Sequence, residues 1–194
     1  MSRRRFLGWT GIFLYVLTIY ATLPCAPAIQ KLLVQKLGEP AGMLGGILTV
    51  LLGLTALIYY FVKKRGARLR ILISTCIVTT LYILAFYYLV VFPPEQFHFA
   101  EYGLLSWLLF FMARKGRSLK KTVLLVLALG LAAGMMDEII QHFLPQRHFE
   151  WRDMLINIVA TLLGLISVVL IAGSPEPASP LPKARGYDLT DMPS

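Results

Sequence analysis

Long apolar stretches broken by short runs of cations, prolines and glycines set the pattern of the chain. Six such stretches emerge: Phe6–Leu23, Ala41–Val62, Leu69–Phe92, Phe97–Ala113, Thr122–Leu144 and Met154–Ala172. Each is about long enough to cross a hydrocarbon layer of about 30 Å as a helix. Between them lie Pro24, Pro27, Gly38 and Pro40, then 63–70, Pro93 and Pro94, 114–121, and Pro145. A helix satisfies every backbone hydrogen bond within its own segment, whereas a membrane strand needs an alternating pattern that is missing from these stretches. The expectation is an all-α, polytopic membrane bundle of about six transmembrane helices.

The cations orient it. Of 19 lysines and arginines, all but Lys31, Lys36, Arg147 and Arg152 fall on one side of a six-span arrangement, in the clusters at 3–5, 63–70, 114–121 and 183–185. Cytoplasmic loops collect such residues, so both termini are placed in the cytoplasm. The start, Ser2-Arg3-Arg4-Arg5-Phe6-Leu7, resembles a twin-arginine export signal but reads as a basic anchor before a first span. Residues Ala28–Leu37 carry Ile29, Leu32, Leu33 and Leu37 on one face, the pattern of a short interfacial helix. The membrane domain is therefore 1–172. The proline-rich segment 173–194 reads as a disordered cytoplasmic tail.

Composition narrows the function classes. Hydrophobic residues make up 57% of the 194, charged residues only 15%, and the mean hydropathy is +0.69. A soluble domain needs more polar surface. The net charge of +9 is spread in clusters between apolar runs, without the basic face that nucleic acid requires, so the bilayer is the expected partner. Cys25 and Cys76 read as small apolar fillers, not a disulfide. Phosphate loops, dinucleotide-binding glycines and a Gly-x-Ser-x-Gly elbow are missing, and no cofactor is called for.

The remaining polar residues are not scattered. Six crossings place all three histidines, His98, His142 and His148, on the outer side, together with Glu39, Glu95, Glu101, Asp137, Glu138, Glu150 and Asp153. Several lie inside apolar runs, where an exposed charge costs about 2.5–3.5 kcal/mol at mid-helix. They are expected to face one another. Helical spacing puts His98, Glu101 and Tyr102 on one face, Asp137 with Gln141, Glu138 with His142, and Asp153 with Asn157. Gly130 and Gly134, and Ala160 and Gly164, are small residues one turn apart that allow helices to approach closely.

The stretch from Gly134 to Asn157 resembles the VanZ-like membrane family. That family shows Asp-Glu-x-x-Gln, a Pro-Gly-Arg turn and Asp-x-x-x-Asn, which fall here on Asp137, Glu138, Gln141, Pro145, Arg147, Asp153 and Asn157, with Gly164 following. Upstream, His98-Phe99 with Tyr102-Gly103 is similar to its His-Phe element. The resemblance covers about 90–170. It departs at Pro94 and Glu95, in place of an Asp-Lys pair, at Gln146, in place of the turn glycine, and at Ala160, another small position. It implies an integral membrane protein of the bacterial cell envelope, associated with low-level resistance to glycopeptide antibiotics such as teicoplanin.

The leading functional expectation is an outward polar site that binds or processes a cell-surface or lipid-linked substrate. Asp137, Glu138 and His98 are the candidate acid–base groups. Glu101, Tyr102, Gln141, Arg147, Asp153 and Asn157 are the candidate substrate contacts, Arg147 suiting a phosphate or carboxylate. Asp137, Arg147, Asp153 and Asn157 equally read as a buried lock on the last helical hairpin. The alternatives are a metal-dependent hydrolase using the histidines with Glu101, Asp137 or Glu138, although no HExxH spacing exists, a proton-coupled transporter, or a non-catalytic partner subunit.

Overall fold

The computed structural model describes residues 3–38, 68–90, 95–145, 147 and 149–172. Among these the chain is helical without strands: α1 Arg3–Thr22, α2 Ala26–Leu37, α3 Arg68–Leu89, α4 Glu95–Arg114, α5 Leu119–His142 and α6 Trp151–Ala172. The expected stretch Ala41–Val62 and the tail 173–194 lie outside the described residues.

Local chemistry sets the helix ends. Pro24 interrupts the chain after α1, and Pro27 sits in the first turn of α2, where a missing N–H costs nothing. Gly116 turns the chain after α4 with φ +78°, and the Ser118 side chain then accepts from Lys121 N–H at 3.4 Å to cap α5. Glu95 in the first turn of α4 and Arg114 in its last complement the helix dipole.

Among the described residues, three helical stretches are long and apolar enough to cross a membrane on their own: Leu72–Leu89, Leu119–His142 and Trp151–Leu170. Taken as one broken span, α1 and α2, bent by 66°, would make a fourth. The expected stretches Phe6–Leu23 and Phe97–Ala113 are both helical but fall outside that set. For α4 the reason is visible in its packing. Glu95, His98, Tyr102 and Ser106 lower its hydropathy, and all four are buried against other helices.

The core runs between α4 and α6, which pack together most extensively, with α5 against both and α3 and α1 outside. Phe99, Tyr102, Leu105, Val126, Ile156, Ala160 and Val168 lie within 1% of complete burial. Close approach depends on glycine. A Cβ on Gly130 would stand 2.6 Å from Thr161 Cγ2, and one on Gly134 would stand 3.0 Å from Asn157 Cβ. Gly130 and Gly134 thus serve the α5–α6 contact. Outward faces are apolar, and Tyr87, Tyr88, Phe143 and Trp151 are exposed together at one end, as aromatic residues are at a membrane interface.

Candidate functional site

At that end the start of α4, the end of α5 and the start of α6 converge. Antiparallel packing makes this unavoidable, since each helix returns the chain to the opposite end. The centre is Asp137, fully buried on α5. Tyr102 OH donates to Asp137 Oδ2 at 2.9 Å, and Gln141 Nε2 lies 3.4 Å from Oδ1. His98 Nδ1 stands 3.5 Å from Asp137 Oδ2 and 3.9 Å from Glu101 Oε2. Gln141 also donates to Glu138 Oε1 at 3.3 Å, and Glu150 N–H reaches Glu138 Oε2 at 3.5 Å. A single amide side chain therefore bridges two adjacent buried carboxyls, which fixes both against the α5 backbone.

A second layer lies beside it. Asp153 and Asn157 are buried one turn apart on α6, as their spacing requires. Arg147, in the α5–α6 connection, interacts electrostatically with Glu138 and with Asp153, and Asp153 also with His98. The expected candidates thus share one region. His142 is the exception: it is exposed on the last residue of α5, beyond the packed part, with its ring 5.5 Å from Phe143, and Glu138 turns inward without it. His148 lies outside the described residues.

The two layers differ in how well they are satisfied. Buried atoms without a hydrogen-bond partner among the described residues include His98 Nδ1, Arg147 Nε, Asp153 Oδ1 and both amide atoms of Asn157. Buried polar atoms rarely stay unpaired, because each costs about 1–3 kcal/mol. Such a set, holding donors and acceptors together, is what a site built to receive a polar group looks like.

Other contributors escaped the sequence reading. Arg152 places Nη2 2.7 Å from Leu89 O and 3.1 Å from Glu95 Oε2, tying α3 and α4 to α6. From α1, Tyr15 OH donates to Glu101 O at 3.0 Å and Tyr20 OH to Ala133 O at 2.8 Å. Two tyrosines with polar tips inside an apolar run were the available signal for the latter. No group of three His, Cys, Asp or Glu side chains placed to hold a metal ion occurs among the described residues.

Residues 94–172 match the model of the VanZ/LLP1 family. No curated protein and no solved structure matches the chain. The segment 94–172 is VanZ-like, and it contains every residue of the buried polar cluster.

Proposed function

We propose that this VanZ-like protein is a six-span protein of the bacterial cell membrane with both termini cytoplasmic. Its polar cluster then opens outward and binds or processes a cell-surface or lipid-linked substrate, and through that substrate has a link to glycopeptide resistance. The described cations Arg5, Arg114, Lys115 and Arg117 support the orientation, because they gather at the end of the bundle opposite Asp137. The inward-facing polar residues of α4 support its reading as a span despite its modest hydropathy.

One observation carries the substrate reading: a buried carboxyl–histidine–tyrosine group adjoins buried donors and acceptors that have no partners among the described residues. A lock on the helical hairpin would be expected to satisfy its own atoms. In this reading Asp137 and Glu138 exchange protons with substrate, His98 relays to Asp137, and Tyr102 and Gln141 hold the carboxyls in place. Glu101, Arg147, Asp153 and Asn157 contact the polar head.

Native mass spectrometry of purified protein tests it by comparing wild type with Asp137→Asn and Arg147→Ala. An envelope lipid that copurifies with wild type and is lost from folded variants is the expected result. Equal lipid content in wild type and both folded variants would refute it.

A further inference from the structure

Between α5 and α6 lies an open cavity of about 110 Å³, lined by Gly130, Leu131, Gly134, Met135, Met154, Asn157 and Ile158. Its walls are almost wholly apolar, and Leu131 and Met135 are exposed at its rim, towards the apolar outside of the bundle. An apolar cavity of about 150 Å³ admits benzene, whereas drug-sized ligands occupy about 300–1,000 Å³. The space therefore suits a few methylenes of a single chain. Asn157 belongs to both worlds. It lines this cavity, is 2% exposed, and has no hydrogen-bond partner for either amide atom among the described residues.

We propose that the polar site takes a lipid with a neutral, hydroxyl-bearing head, one acyl chain of which lies in the α5–α6 groove beside Asn157. This rests on the substrate reading above and specifies its chemistry. The unpartnered atoms include donors (Arg147 Nε, an Asn157 N–H) and acceptors (Asn157 Oδ1, Asp153 Oδ1). A hydroxyl serves both kinds, while a phosphate offers acceptors only. The nearby arginines point the same way. Arg147 already faces Glu138 and Asp153, and Arg152 is bound to Glu95 and Leu89 O, which favours a neutral head over a dianionic one.

The full-length protein is reconstituted in phosphatidylcholine vesicles with a probe lipid carrying a diazirine in one acyl chain. The head is either diglucosyl-diacylglycerol or phosphatidic acid. After irradiation the sugar-headed probe should label Met135 and Met154 about tenfold more than phosphatidic acid does, and about tenfold more than it labels Ile83, exposed on α3. Leu131→Trp, filling the groove from its rim, should remove that excess. Asn157→Leu should lower the head preference about fivefold, the equivalent of one hydrogen bond, without lowering the unfolding temperature. Equal labelling by both probes would overturn the proposal, the buried atoms then being served by water alone. So would a Leu131→Trp variant labelled like wild type. Should Asp137→Asn and Arg147→Ala both keep their copurifying lipid while the groove labels as expected, the substrate reading falls and the groove stands.

Discussion

Gly164 on α6 meets Gly103 on α4 backbone to backbone: a Cβ on Gly164 would stand 2.6 Å from Gly103 O and 2.8 Å from Gly103 Cα. Nearby, Ser106 Oγ reaches both Tyr102 O and Thr161 O at 3.0 Å, so the crossing is welded by a shared hydroxyl. The site depends on this contact, because Tyr102 sits one residue before Gly103.

Gly164→Ala should therefore cost about 1–3 kcal/mol or more, since rigid backbone rather than a pliable side chain must move. Gly11→Ala, with nothing within 4 Å of the added Cβ, should instead be neutral or stabilising by up to about 1 kcal/mol through helix propensity. Thermal unfolding in one detergent compares the pair. Equal effects would mean that α4 and α6 do not cross at Gly103.

Tyr102→Phe removes the hydroxyl that donates to Asp137 Oδ2 while keeping the buried ring. The expected loss is about 1–3 kcal/mol, because a fully buried carboxyl loses its shortest hydrogen bond. Tyr87→Phe, on an 80% exposed ring, should leave stability within about 0.5 kcal/mol of wild type. The same unfolding assay reads both.

Arg152 and Glu95 form the ion pair that ties α6 to α4. A double-mutant cycle with Arg152→Met and Glu95→Gln should give a coupling of about 1 kcal/mol, held down because the Arg152 side chain is 34% exposed. A coupling of zero would assign Arg152 to Leu89 O alone.

How far the sequence reaches is clear from particular residues. Helical spacing placed His98, Glu101 and Tyr102 together and aligned Asp137 with Gln141, because a face three or four residues apart is a property of one helix. Antiparallel parity then brought α4, α5 and α6 to the same end. Spacing could not foretell that His142, on the same side as Glu138, would lie beyond the packed part of α5. Nor could it pair Arg152 with Glu95 or send Tyr15 and Tyr20 to carbonyls of α4 and α5, since those contacts depend on how helices rotate about their axes. Hydropathy had the opposite weakness. It undervalues α4, whose polar residues face protein instead of lipid.

The most direct test of an outward site is its accessibility from outside the cell. Single cysteines are placed at Glu150, exposed beside the cluster, and at Lys115, exposed at the far end, with Cys25 and Cys76 changed to serine. Intact cells are treated with a membrane-impermeant maleimide. Labelling of the Glu150→Cys protein, with Lys115→Cys labelled only after permeabilisation, is the predicted result. Labelling of Lys115→Cys in intact cells, with Glu150→Cys spared until the membrane is opened, would turn the polar cluster towards the cytoplasm and contradict an envelope substrate.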